Sequence, residues 1–332
     1  MNISVLALFS LTMGGTIGVW NLDRPFAAAT GINCEWVGRI LQVENSSIAA
    51  AASLCAEDTL ELETDARIRV LCYGSGEIWD VPSGGSRVGD RCTRIPSLLA
   101  EQDCNDPQGC YEDDGRNPEG NKPHILQPPS GTFILTQMPK LSWLAVEGAT
   151  HYNIRIGDIA ESEPVRETTI NALDMETSDA GTIALDFPFE MPLSRDVRYR
   201  LTVEAVTQSQ AATVARRNFS ILNEEGAIEV REIASQLDDL NLPAEEKVLV
   251  DLHHLYIARN LKAEAIESLE ALKENGSQNP QLYRMLGMLY EEQDWFDFAR
   301  SYYQRGEELA IAAGNTRELD MIRDRLSTLQ NR

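Results

Sequence analysis

Two stretches of this chain match each other at an offset of 34 residues. Leu249 and Tyr283, Leu252 and Leu286, Tyr256 and Tyr290, and Ala265 and Ala299 each stand one offset apart. Such a period marks a repeated helix–turn–helix unit, which buries its apolar face by stacking on a neighbour. Small residues at Gly287, Ala299 and Gly306 then fall where paired helices touch, while Tyr283, Leu286, Tyr290 and Tyr303 fill the space between them. Helix ends follow the same register. Asn279 before Pro280 starts one helix, Asp294 is expected to cap the next, and Gly276 ends another. "GAIEVREIASQLDDL" reads as a leading helix. "NTRELDMIRDRLSTLQ", with Asn315 and Glu318 as a capping-box pair, reads as a polar terminal cap.

In period and in the placing of its small and aromatic residues, this region resembles the tetratricopeptide repeats. It departs from them in three ways. His253 occupies the usual small position of the first unit and should loosen or tilt that helix pair, the late proline is absent, and only two units are present. The resemblance implies a concave face that takes an extended peptide or helix. Its positions here are Lys247, Val250, His254 and Ile257, then Gln281, Arg284, Met288 and Glu291, with a basic rim at Lys247 and Arg284. The alternative is that these are ordinary exposed helix residues on a module that packs only against its neighbour domain.

Upstream, residues 130–222 alternate apolar and polar. In "VRYRLTVEAV", Val197, Tyr199, Leu201, Val203 and Ala205 share one face, and Arg198, Arg200 and Glu204 the other. That is sheet with one wet face. Six or seven such runs separated by turns predict a β-sandwich. The order Pro-x-Leu-x-Trp-x-x-Val-x-Gly-Ala-x-x-Tyr-x-Ile-x-Ile from Pro139 to Ile156 resembles fibronectin type III domains, which implies Trp143 in the core, Tyr152 on the next strand and Tyr199 on a late one. Modules of that kind are spacers or binding surfaces and carry no catalytic residues.

The first third holds all six cysteines, Cys34, Cys55, Cys72, Cys92, Cys104 and Cys110. An even set confined to one segment reads as disulfides; the rival is zinc, but no Cys-x2-Cys spacing occurs and His124 is the one nearby imidazole. Expected pairs are Cys104–Cys110, across a short turn-rich loop, Cys72–Cys92 and Cys34–Cys55. "GRILQV", "TLELE", "ARIRVLCY" and "EIWDV" are short strand candidates. The run "LCAEDTLELETDARIRVLCYGSGEIWDVPSGG" resembles the FecR-like β domain of bacterial envelope proteins, with Glu57-Asp58 in place of Gly-Asp. The bland alternative is a small disulfide-stapled β domain. Ahead of it, Ile3 to Trp20 is uncharged and apolar and is followed by Ala27-Ala28-Ala29, as in a cleaved export signal; an uncleaved anchor and a buried helix are the alternatives. Between the two β regions, "EQDCNDPQGCYEDDGRNPEGNKPHILQPP" has the composition of a linker, and its acids lack the ligand spacing of a calcium loop.

The expected fold class is therefore multidomain β + α: a disulfide-stapled small β domain, a β-sandwich, then an all-α helical repeat. The segments are 1–29 (signal or anchor), 30–95, 96–129 (linker), 130–222 and 223–332. A net charge of -23 is shared by all three regions, so the basic stripe needed for nucleic acid is missing. Anionic lipid is disfavoured for the same reason, and membrane contact is expected only through an N-terminal anchor. His253 and His254 are helix neighbours about 100° apart and cannot share one metal. No phosphate loop, zinc-helix motif or Gly-x-Ser-x-Gly elbow occurs. Neither a cofactor nor a metal is expected, and no enzyme activity is indicated. The expected function is a non-catalytic, extracytoplasmic scaffold or adaptor holding a protein partner at Lys247, His254, Gln281, Arg284, Met288 and Glu291. The alternative is a cell-wall or glycan-binding accessory protein that uses exposed aromatics such as Trp79; an enzyme of unrecognised type is a third reading.

Overall fold

The structure, a computed structural model, describes residues 34–92, 122–161, 165–178, 181–208 and 211–330. The export segment and the Cys104–Cys110 loop lie outside the described residues. By contacts the chain divides into Met1–Glu35 and Trp36–Arg332, and the second unit carries every secondary-structure element described below. Within it the layout is β, then β, then α, as the sequence implies.

The N-terminal β module contains β1 (Trp36–Glu44), β2 (Ser53–Cys55), β3 (Thr59–Leu62), β4 (Arg67–Cys72), β5 (Glu77–Asp80), β6 (Gly84–Arg87) and a short helix α1 (Val88–Arg91). Antiparallel pairing gives one sheet in the order β2-β1-β4-β5 and a second made of β3 and β6. All four strand candidates read from the sequence are strands. Ile40, Val70 and Cys72 point into the module's own core, where Cys72 is bonded to Cys92. Leu41, Leu71 and Tyr73 point the other way and are buried against helices. This sheet is therefore covered on both faces, which explains why "ARIRVLCY" reads as nearly continuous rather than alternating. Cys34 and Cys55 are also disulfide-bonded, and no described cysteine is free. Such bonding indicates an oxidising, extracytoplasmic setting.

Among the described residues, eight strands make the sandwich: β7 (His124–Gln127), β8 (Thr132–Ile134), β9 (Leu141–Leu144), β10 (Ala149–Asp158), β11 (Arg166–Asn171), β12 (Thr182–Leu185), β13 (Arg198–Thr207) and β14 (Thr213–Ile221). Their sheets run β11-β10-β13-β14-β8 and β12-β9-β7. Trp143 is central to the core, edge-on to Tyr152 at 5.4 Å, and Tyr199, Leu201, Val203 and Ala205 form the inner stripe of β13. One boundary differs from the reading above. His124–Gln127, assigned by composition to the linker, is a strand paired to β9, because its short apolar stretch is enough to complete the smaller sheet.

The helical region begins with α2 (Glu224–Asp239), capped by Asn223, whose side chain accepts from Gly226 N–H. Next comes one continuous helix made of α3 (Ala244–Glu246), a π-helical stretch (Lys247–Leu252) and α4 (His253–Ala258). It is followed by α5 (Lys262–Glu274), α6 (Pro280–Glu291), α7 (Phe296–Ala313) and α8 (Thr316–Gln330). Asn279 caps α6 by accepting from Gln281 N–H, with Pro280 at the first position, and Gly276 takes φ +87 just beyond α5. Asp294 does not cap α7. It adopts φ +61 in the turn, and the cap position falls to Trp295, which offers no side-chain acceptor. Among the described residues, no helix is long and apolar enough to cross a membrane.

The spacing of small residues has a direct geometric cause. A methyl group at Gly287 would stand 2.5 Å from the Tyr303 ring, and one at Gly306 would stand 3.0 Å from Ile322. Ala299 is fully buried in the same core. In the first unit His253 takes the place of Gly287, and the π-helical stretch immediately precedes it.

Two substitutions test this packing. Ala299→Leu is expected to lower stability by about 1–3 kcal/mol through overpacking. Gly287→Ala, which on an open helix would gain up to about 1 kcal/mol, is expected to destabilise instead. Urea unfolding followed by circular dichroism measures both, and a stabilised Gly287→Ala variant would contradict the close approach.

Candidate functional site

Arg39 lies in the middle of β1, between apolar neighbours, and is only 1% exposed. A guanidinium so placed needs a fixed anion, and it finds Asp251 on the π-helical stretch, itself 0% exposed. Nε donates to one carboxylate oxygen at 2.9 Å and Nη2 to the other at 3.0 Å, while the Tyr73 hydroxyl donates to the first at 2.6 Å. Nη1 donates to the Ala51 carbonyl at 2.7 Å, and Glu246 stands 2.8 Å from Nη2. Burial works against the Arg39 charge, but the carboxylates of Asp251 and Glu246 outweigh it and hold the group protonated above its ordinary range. His254 stacks on Tyr73 at 4.7 Å, beside His253. Burial lowers the pKa of both imidazoles, that of His254 to about 4, so at neutral pH both are uncharged. No described group of three or more His, Cys, Asp or Glu side chains is arranged to hold a metal ion. The cluster is a tie between the N-terminal sheet and the first helical unit.

The residues singled out as a groove are placed by this packing and do not form one open face. Lys247 is paired to Asp238 of α2, and His254 lies under Tyr73. Val250 shares a core cluster with Leu41 and Leu71. Glu291 is 3% exposed and accepts the Tyr303 hydroxyl at 2.8 Å, so it presents nothing outward. Arg284 reaches α8, donating through Nε to Glu318 at 2.6 Å and through Nη2 at 3.3 Å. Gln281, Arg284 and Met288 are half-exposed. Arg284 and Glu318 are one 34-residue offset apart, so α8 stands where the first helix of a third unit would. That explains why the Glu318 carboxylate does not complete the capping box: Asn315 accepts from Glu318 N–H, but the acid itself serves Arg284. Trp79, the candidate sugar platform, is 9% exposed and belongs to the N-terminal core.

The sandwich is fastened to the helices by a separate set of contacts. The Thr132 hydroxyl donates to the Asn260 carbonyl at 2.7 Å and accepts from Lys262 N–H at 2.9 Å, capping α5 from outside. Gln293 accepts from Ser130 N–H at 2.8 Å, and Glu264 accepts from Leu135 N–H. Leu126 of β7 joins the helical core. Burial raises the Glu264 carboxyl from 4.5 to about 7, its second oxygen having no hydrogen-bond partner among the described residues.

What these fastenings leave open is the outer face of the larger sheet. Register brings Glu167, Arg155, Thr202 and Arg216 into one row across β11, β10, β13 and β14, with Thr169, Asn153, Glu204 and Val214 in the next. Together they line a depression of about 630 Å³. Thr169 donates to Asn153 at 2.8 Å and Asn153 to Glu204 at 2.7 Å; Arg155 donates to Glu167 at 3.0 Å. The sequence marked Arg200 and Glu204 as wet. It missed the row, because which strands are neighbours is not written in any one strand.

No family model matches the sequence, and no curated protein matches it. Among solved structures, one similar chain is the fibronectin type III (fn3) domain of the human collagen alpha-1(XX) chain, at 13% identity and TM-score 0.22, covering 35% of this chain and 90% of that one. A multi-domain immunophilin from Arabidopsis thaliana is similar at 10% identity and TM-score 0.14, covering 54% of this chain and 97% of that one. Likeness at this level carries no argument, and the two-sheet arrangement rests on the strand pairing itself.

Two measurements check the fastenings. Asp251→Ala strands a buried guanidinium and is expected to cost about 3–5 kcal/mol in urea unfolding, whereas an apolar pair replacing both partners should recover most of it. Glu264 has a raised pKa in the folded chain, so its deprotonation opposes folding: its contribution falls as pH rises from 4.5 to about 7 and stays low above that. The buried His124 and His254, each lowered to about 4, act oppositely and weaken the fold as pH falls below 6.5. Glu264→Gln should therefore stabilise the protein at pH 8 relative to pH 5, by at most about 1.4 kcal/mol per pH unit crossed. A wild-type-minus-variant difference that is flat with pH would contradict the assignment.

Proposed function

We propose that this chain is a non-catalytic, exported scaffold of a bacterial envelope, whose tetratricopeptide-like region serves first as a mount for its own FecR-like and fibronectin type III-like modules. Asp251 carries this reading. Where the tetratricopeptide family receives a peptide, the first unit here receives Arg39 and Tyr73 of the same chain. Two of the four groove positions on that unit, Val250 and His254, are thereby covered from within. The sandwich is held by separate hydrogen bonds at Thr132, Ser130 and Leu135. A mount fastened on both sides keeps an outer sheet face in a fixed position, and that face is the surface offered to a partner. The disulfides support residence in an oxidising compartment, and the apolar segment from Ile3 to Trp20 supports export.

One observation favours a second reading, in which a protein partner binds the helices directly. Gln281, Arg284 and Met288 are half-exposed on α6, and a ligand carboxylate could replace Glu318 on Arg284. Photo-crosslinking of the intact chain in its native host separates the two. A crosslinker at Thr202 is expected to yield partner adducts, and one at Met288 is not. Adducts at Met288 alone would favour the helical site, and loss of Thr202 adducts in Arg216→Glu would locate the contact on the sheet.

A further inference from the structure

We propose that the outer face of β11, β10, β13 and β14 is a binding site for a carboxylate-bearing oligosaccharide, with Arg155 and Arg216 as the carboxylate-binding groups. This deepens the scaffold reading, on which the exposure of that face as the working surface rests.

Charge sets this face apart. The chain carries -23 overall, yet this face gathers four guanidiniums, those of Arg155, Arg198, Arg200 and Arg216, against the two carboxylates of Glu167 and Glu204. A cationic face on so acidic a protein selects for anions, because the rest of the surface repels them. Two of the guanidiniums are available. Arg216 has no ion-pair partner among the described residues. Arg155 is paired with Glu167, but both are well exposed, and such a pair exchanges readily for a ligand carboxylate. Arg155 and Arg216 flank Thr202 in one row, two strand spacings or about 10 Å apart. Guanidinium planes bind carboxylates bidentately, so each can take one acid group of a polymer laid across the strands.

The chemistry between the arginines favours a sugar over a protein. Protein partners anchor on buried aromatic or aliphatic side chains set in pockets. Two aliphatic residues line this depression, Val214 and Ile154, and Ile154 is fully buried in the sandwich core; the rest are hydroxyl, amide and charged groups. The chain Thr169–Asn153–Glu204 is already hydrogen-bonded, which fixes its donors and acceptors in place without an induced rearrangement. Hydroxyls of a sugar ring can join that network at both ends. With no aromatic ring in the depression, affinity must come from the acid groups, and binding should be sensitive to salt.

The test uses the intact protein and calorimetric titration with an oligogalacturonate as probe, alongside its methyl ester and poly-glutamate. The proposal expects binding of the acid oligomer, none of the ester, and weaker binding of the peptide. Arg216→Ala should weaken the oligomer by about tenfold, the scale of one charge-assisted contact, with an unchanged melting temperature. Arg300→Glu, a half-exposed arginine of α7 outside the depression, should leave it unchanged. No binding of the acid oligomer at millimolar concentration, equal binding of the ester, or equal binding by Arg216→Ala would overturn the site. Equal binding of poly-glutamate would assign the face to an acidic protein segment instead. A failure here together with crosslinks at Thr202 would leave the scaffold reading standing; loss of those crosslinks as well would remove both.

Discussion

The fork of Arg39 on Asp251 is the contact on which the arrangement of this chain depends. Neither group is tolerated alone in an apolar interior, so each fixes the other's address. Satisfying both requires β1 of the N-terminal module to lie against the π-helical stretch of the helical region, 212 residues later in sequence. Tyr73 and Ala51 complete the shell, and once it forms, Leu41, Leu71 and Val250 close around it. A buried pair of this kind adds little net stability over an apolar substitute, but it penalises any other docking of the same surfaces.

The helices that hold both β modules are shaped by these obligations. In the second unit, Gly287 lets Tyr303 approach closely, and the Tyr303 hydroxyl then donates to one oxygen of the buried Glu291. In the first, His253 fills the corresponding place, the helix carries a π-helical stretch, and Asp251 meets the sheet. One face that a repeat would offer to a partner is thus committed within the molecule. Thr132 caps α5 from the sandwich side, so the helical region is braced from two directions. The outer sheet face of the sandwich is what such bracing leaves displayed, and its polar rows make it chemically unlike the rest of an acidic surface.

Individual residues show how far local pattern reaches. Alternation in β13 placed Tyr199, Leu201, Val203 and Ala205 inward, since a strand's period of two is a property of its own backbone. Asn279, Pro280 and Gly276 marked helix ends because capping uses groups within a turn of the end. Where a partner outside the element decides the outcome, pattern failed. Asp294 resembled a cap but sits in a left-handed turn, His124–Gln127 resembled linker but completes a sheet, and Glu291 resembled a groove residue but is buried under Tyr303.

Periodicity in the sequence determined that this chain would form a β module with disulfides, a β-sandwich and stacked helices, because period, turn residues and cysteine placement act over a few residues at a time. Only the tertiary structure decided that Arg39 would meet Asp251, that Val250 and His254 would be covered from within, and that Arg155 and Arg216 would flank Thr202. Those are meetings between residues far apart in the chain. Their free energy comes from desolvation and charge pairing, which depend on what lies opposite, and no local pattern records what lies opposite.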